Sequence, residues 1–180
     1  GVRFRLPAGM EQVTYFGRGP EENYCDRNNG TLVGEYQATA EQMYFPYVRP
    51  QENGHHTDTR WLMLKKKNGK GLAVYADGTL EFNSLRNSIE DFDGEEAVQR
   101  DYQWNNRDAE ELKHDVSTAK NIKPRHTHIN DITPRDFVEV CLDMRQMGVG
   151  GFDSWGAVPD PQYLIPANKE YQWGFTIVPM

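Results

Sequence analysis

A period of two residues in side-chain polarity constrains this chain more than any other feature, because only extended strands use it. Val2, Phe4 and Leu6 alternate with Arg3 and Arg5. Arg60-Trp61-Leu62-Met63-Leu64 runs towards Asn68-Gly69, the favoured two-residue hairpin signal, and Leu72-Ala73-Val74-Tyr75 follows. Asp77-Gly78 reads as a second turn into Leu80-Glu81-Phe82, so a three-strand antiparallel meander is expected here. Val138, Val140, Leu142 and Met144 fall on one face of a later strand, opposite Glu139, Cys141 and Asp143. At the end, Tyr171, Trp173, Phe175 and Ile177 share a face opposite Gln172, Gly174 and Thr176. Helical spacing is scarce. The best candidate runs from about Asp108 to Thr118, short and peripheral, with Asp108 placed to cap the backbone N–H of Glu111. Loops rich in Gly, Pro, Asn and Asp occupy 17–31, 49–59 and 145–161. The pattern predicts an all-β fold, an antiparallel sandwich, as one domain over residues 1–180.

The core available to such a sheet is short of aliphatics. Leu, Ile, Val and Phe number 36 of 180 residues, or 20%, which borders on the composition of chains that fail to fold. Twenty-one aromatics, 12% of the chain, work the other way, since each ring buries a large area. An aromatic-weighted core is therefore expected, as in a chain that shares its core with segments outside it.

Several function classes are excluded by the same numbers. No run of about 18 apolar residues is present to span a membrane. The stretch GVRFRLPAGM lacks the continuous apolar centre of a signal peptide. A net charge of -7 argues against nucleic-acid binding, and Lys65-Lys66-Lys67 reads as a solvated hairpin end. Neither a membrane nor a nucleic acid is expected as a partner. Cys25 and Cys141 make no redox or metal spacing and leave the compartment open between cytoplasm and periplasm.

Most constellations have plain structural readings. The pairs Glu21-Glu22, Glu95-Glu96 and Glu110-Glu111 are adjacent, so on strands they point to opposite faces rather than across a sugar. His126 and His128 share a face of a strand, with His114 and Asp131 as conceivable further zinc ligands, but no second ligand motif accompanies them. Asp91-Phe92-Asp93-Gly94-Glu95-Glu96 fails the calcium-loop pattern. Asn29-Gly30-Thr31 is a glycosylation sequon only in a secreted eukaryotic chain. Gly148-Val149-Gly150-Gly151 follows a strand without a helix after it, which rejects a dinucleotide loop. No metal or cofactor site is expected in the chain.

Met147 to Gly156 is the most informative segment. It sets Trp155 in a glycine-rich loop at the end of a buried strand, where the glycines permit backbone conformations closed to other residues. An indole face suits the C–H face of a sugar, while Asp153 and Ser154 can bind hydroxyls or fix the loop. A Trp folded back to plug the sandwich end is the competing arrangement.

Three segments also resemble one known family. Tyr15-Phe16-Gly17-Arg18-Gly19-Pro20-Glu21-Glu22-Asn23-Tyr24-Cys25-Asp26-Arg27, then YFPYVRPQENG over residues 44–54, then Met147-Gly148-Val149-Gly150-Gly151 with Asp153-Ser154-Trp155 are similar, in order, to segments of the bacterial β-galactosidases of glycoside hydrolase family two. Phe152 stands where many of those enzymes carry Asp, Cys25 stands where Pro is common, and 114–132 looks like an insertion. The resemblance implies the C-terminal small-chain domain, a mutarotase-like supersandwich, incomplete at its N-terminal side. It implies that the two catalytic glutamates of a retaining hydrolase of terminal β-D-galactosides lie in a barrel domain of the same polypeptide. Magnesium, with sodium as a second candidate ion, would belong to those other domains, and no catalytic residue to this chain. It further implies that Trp155 reaches the active-site rim and stacks on a β-galactoside or acceptor sugar, with Gly150, Gly151, Asp153 and Ser154 as the supporting loop. The alternatives are an autonomous galactoside-binding module and a mutarotase-like epimerase using His126 or His128 with Glu139.

Overall fold

The structure is a computed structural model and describes residues 1–92, 128–153 and 155–180. Seven strands make one sheet: β1 (Val2–Pro7), β2 (Gln12–Gly19), β3 (Leu32–Thr39), β4 (His56–Lys65), β5 (Gly71–Leu85), β6 (Phe137–Asp143) and β7 (Phe175–Pro179). Their order is β1-β6-β5-β4-β2-β3, with β7 also on β5, and every pairing is antiparallel. The class is all-β, consistent with a β-sandwich. A single helical turn, α1 (Ile89–Phe92), and two short 3-10 turns are the only helical pieces among the described residues. The helix expected over 108–118 lies outside them, as does most of the 114–132 stretch.

Alternation delivers the core directly. Tyr15 lies opposite Leu62, and Leu62 opposite Val74; two residues along, Val13, Leu64 and Leu72 form the next row. Further across the sheet, Phe82 pairs with Leu142 and Leu142 with Val2. Val13, Tyr15, Leu62, Leu64, Val74, Leu80, Phe82, Val138, Val140 and Leu142 are all at most 1% exposed. Rings carry the centre of this face: Tyr15 stands 5.2 Å from Phe82, 5.6 Å from Tyr36 and 4.8 Å from His56, centroid to centroid. Burial pushes the His56 pKa down to about 4, so the neutral ring is the buried form.

Two turn expectations are corrected. Gly69 N–H donates to Lys66 O at 2.9 Å and Lys66 N–H to Lys70 O at 2.8 Å, with Gly69 at φ 86°. The β4–β5 connection is therefore Lys67-Asn68-Gly69, a three-residue loop with glycine in the left-handed position, rather than a two-residue turn. At Asp77-Gly78 the chain does not reverse. Thr59 lies opposite Leu80 and Trp61 opposite Tyr75, so two steps along β4 match five along β5. Both flanks pair with the same strand in the same sense, and the surplus residues bulge out at Gly78, φ 97°. The expected meander is thus two strands, the second 15 residues long.

At the C-terminal end only Phe175–Pro179 pairs as a strand. Trp173 and Phe175 pack on the core, 5.2 Å between rings, whereas Tyr171 is exposed and donates its hydroxyl to Pro166 O at 2.7 Å. The loop expected over 49–59 is shorter, because β4 already begins at His56.

The opposite face of the sheet is polar. Glu139, 3% exposed, accepts from Arg3 Nη2 at 2.9 Å, Arg5 Nε at 2.8 Å and Ile89 N–H at 3.0 Å. Asp91 accepts from Arg135 Nε at 3.0 Å and Ser88 N–H at 2.9 Å, and most of the segment 91–96 lies outside the described residues. Truncation at the ring cluster measures the apolar face. Phe82→Ala is expected to cost about 3–5 kcal/mol, read from the midpoint and slope of chemical denaturation; a loss below about 1 kcal/mol would contradict its place at the centre.

Candidate functional site

Loops from three distant parts of the chain meet at one end of the sheet. Glu22 gathers the first two. Its Oε2 accepts from Gly54 N–H at 2.8 Å and its Oε1 from Arg27 Nη2 at 2.7 Å, and the Tyr47 hydroxyl donates to the same Oε1. The Arg27 guanidinium also lies 4.7 Å above the Tyr24 ring and 5.9 Å from that of Tyr47. Asn23 saturates its amide: Oδ1 accepts from Thr57 N–H at 3.0 Å and Thr57 Oγ1 at 2.6 Å, while Nδ2 donates to Arg18 O and Glu21 O, both at 3.1 Å. A side-chain amide filled in this way is held rigidly because each of its groups has a partner.

Asp26 joins the glycine-rich loop to this base. Its Oδ2 accepts from Gly150 N–H at 2.8 Å. A Cβ on Gly148 would stand 2.6 Å from that oxygen, and one on Gly150, at φ 61°, would stand 2.5 Å from Ala157 O. Only glycines fit. Gly151 N–H donates to Ala157 O at 3.0 Å, and Asp153 Oδ1 accepts from Trp155 N–H at 2.8 Å and Ala157 N–H at 3.1 Å. The carboxylate of Asp153 thus folds the loop, and Trp155 stands 93% exposed at its tip. It does not plug the end of the sheet. Ser154 lies outside the described residues.

Entry into the loop is fixed from the polar face of the sheet. Gln146 N–H donates to Glu81 Oε2 at 2.6 Å, and Cys25 Sγ–H donates to Gln146 O at 3.4 Å. The same Glu81 oxygen lies 2.9 Å from His55 Nε2, and His55 Nδ1 lies 2.7 Å from Asn83 Oδ1. Because Asn83 Nδ2 donates to Glu52 Oε1 at 2.9 Å, its oxygen faces the imidazole, and Nδ1 must donate. With a carboxylate at Nε2, the protonated ring fits both partners. Burial works against that charge, but hydrogen bonding and attraction from Glu81, with Asn83 and Glu52 in support, leave the His55 pKa raised.

The remaining candidates disperse. His126 and His114 lie outside the described residues, and His128 is exposed, its backbone N–H donating to Asp131 Oδ2 at 2.9 Å in a 3-10 turn. The Glu139 carboxylate is occupied by its three donors. Among the described residues no group of three or more His, Cys, Asp or Glu is placed to hold a metal ion. Sequence reasoning passed over Glu22, Asp26, Arg27 and Tyr47 as working residues. All four sit inside the segments that carried the resemblance, which was the available signal.

The sheet thus holds these three segments against one another, with an exposed indole on a glycine-fixed loop. Residues 1–177 match the family model described as "Beta galactosidase small chain". The chain belongs to that family. It is 30% identical over 180 residues to a β-galactosidase of Priestia megaterium, covering 100% of this chain and 14% of the relative. It is 31% identical over 181 residues to one from Streptococcus thermophilus, covering 100% and 15%, and 30% identical over 177 residues to one from Vibrio cholerae, covering 98% and 14%. The chain therefore spans about one seventh of the length of these curated relatives.

Two outcomes are expected. Gly150→Ala forces a left-handed Ala against Ala157 O, at about 1–2 kcal/mol for the conformation alone, and amide hydrogen exchange at Gly150 and Gly151 should quicken roughly tenfold. Unchanged protection there would rule out the loop geometry. The raised His55 pKa contributes stability that is fully present below 6.5 and lost as pH climbs through the folded value. The thermal midpoint should accordingly fall as pH climbs above 6.5, and Glu81→Gln should flatten that limb.

Proposed function

We propose that this chain is the non-catalytic C-terminal portion of a larger retaining β-galactosidase that hydrolyses terminal β-D-galactosides, and that Trp155 supplies an aromatic face to the substrate or acceptor sugar at the rim of an active site built elsewhere in the polypeptide. The observation that carries the reading is the family match over residues 1–177 by a chain one seventh as long as its β-galactosidase relatives. Exposure of Trp155 supports the second half. An indole 93% exposed forgoes the burial that rings of its size ordinarily seek, while its backbone is held by Asp153 and, through Gly150, by Asp26. Retaining chemistry needs two carboxyls about 5–5.5 Å apart across the glycosidic bond. Glu22, Asp91 and Glu139, the best-buried carboxylates of the loops and polar face, are instead committed to Arg27, Arg135 and the Arg3–Arg5 pair. Trp155 would then act through binding at the acceptor side, altering substrate preference and transfer to sugars more than bond cleavage.

In a β-galactosidase that carries this chain, Trp155→Ala should raise KM for lactose and lower the ratio of transfer to hydrolysis, each roughly tenfold. Turnover of an aryl galactoside limited by loss of the enzyme-bound galactose should change little. An unaltered KM together with an unaltered transfer ratio would refute the role. The isolated chain tests the alternative of an autonomous module, which requires galactoside binding that Trp155→Ala abolishes.

A further inference from the structure

We infer that the two hollows on either side of Gly150-Gly151 form one saccharide trough, which takes the units of an oligosaccharide that lie beyond the sugar against Trp155; this rests on the reading of Trp155 given above. The larger hollow, about 520 Å³, lies between Arg27, Tyr47, Gln51 and Glu52 on one side and the loop from Gln146 to Gly151 on the other. The smaller, about 310 Å³, is closed by Asp26, Phe152, Pro159, Asp160 and Tyr163. Arg27, Gly150 and Gly151 wall both, so the two are neighbours along one path. Each falls within the roughly 300–1,000 Å³ of sites that hold small ligands.

The polar groups of the trough fit a neutral polyol. Arg27 spends Nη2 on Glu22 and Tyr47, which leaves Nε and Nη1 without a partner among the described residues. The Gln146 side-chain amide makes no hydrogen bond there, and Gln51 makes only a local one, Nε2 to Arg49 O at 3.4 Å. Asp26 presents Oδ2 to Gly150, and the residue borders the smaller hollow. Asp26, Glu52 and Asp160 outnumber Arg27 and disfavour a phosphate or carboxylate ligand. Hydroxyls, each donating once and accepting twice, match guanidinium, amide and carboxylate in turn. Glycines at 148, 150 and 151 keep one wall free of side chains, and Phe152, 75% exposed, offers an apolar surface to the smaller hollow.

Calorimetric titration of the protein carrying this chain with linear β-galacto-oligosaccharides of two, three and four units, joined through sulfur so that they resist hydrolysis, tests the trough independently of turnover. Affinity should rise from the disaccharide to the tetrasaccharide. The double variant Gln51→Ala/Gln146→Ala removes side chains that brace nothing distant, and should lower the tetrasaccharide-to-disaccharide affinity ratio roughly tenfold, the worth of about two hydrogen bonds. Phe152→Ala should lower the same ratio. Affinity that is flat with chain length, or a ratio unmoved by these variants, overturns the trough, as it would if another stretch of polypeptide filled it. A length-dependent affinity that these variants reduce, with Trp155→Ala indistinguishable from the unaltered protein, keeps the trough and removes Trp155 from the sugar.

Discussion

The contact on which the exposed end of this molecule depends is a carboxylate oxygen of Asp26 against the backbone N–H of Gly150, 2.8 Å apart in space and 124 residues apart in the chain. The approach is possible because Gly148 lacks a side chain, which would meet Asp26, while Gly150 needs the same lack against Ala157 O. A charge-assisted bond of this kind aims the loop without enclosing it. The loop then closes on itself through Asp153 and Ala157, and an indole remains in water with its backbone fixed. Position comes from backbone hydrogen bonds and exposure from the absence of side-chain packing, so the two are supplied by different atoms.

Each face of the sheet has a separate task. On the apolar face, rings replace missing aliphatics: Tyr15, Tyr36, Phe82 and His56 fill volume that a Leu- and Val-rich chain would fill with smaller groups. On the other face, β5 turns Glu81 and Asn83 towards His55, and Glu81 carries the connection onward to Gln146. Alternation within one strand thereby places a hydrophobic anchor, Phe82, between two polar residues that hold the loops. Burying such polar groups is tolerable only because each has its partner, and His55, with one at each ring nitrogen, is central to that arrangement.

Sequence made the apolar face legible because period-two patterning is local. Val138, Val140 and Leu142 need no knowledge of their partners to be assigned inward, and all three are fully buried. Asp77-Gly78 misled because the same dipeptide serves turns and bulges; the choice rests on whether both flanks pair with β4, a fact of register. At the site, the glycines and Trp155 stood out by composition alone. Glu22, Asp26 and Arg27 did not, since their partners Gly54, Gly150 and Tyr47 lie 32, 124 and 20 residues away. Family likeness pointed to these segments without saying which atoms join them.

The pairing of β1 with β6 carries a consequence for how the domain is made. Val2 lies opposite Leu142 and Leu6 opposite Val138, so the only partner of β1 among the described residues is encoded about 130 positions later. At roughly 5–20 residues per second, a ribosome takes on the order of ten seconds to supply it. Local hairpins such as β4–β5 close in microseconds, but the seam between β1 and β6 waits until synthesis reaches Asp143. During that interval the backbone of β1 lacks the edge it will occupy. Arg3 and Arg5, which later clasp Glu139, meanwhile give the waiting strand the charges that discourage pairing with the wrong edge.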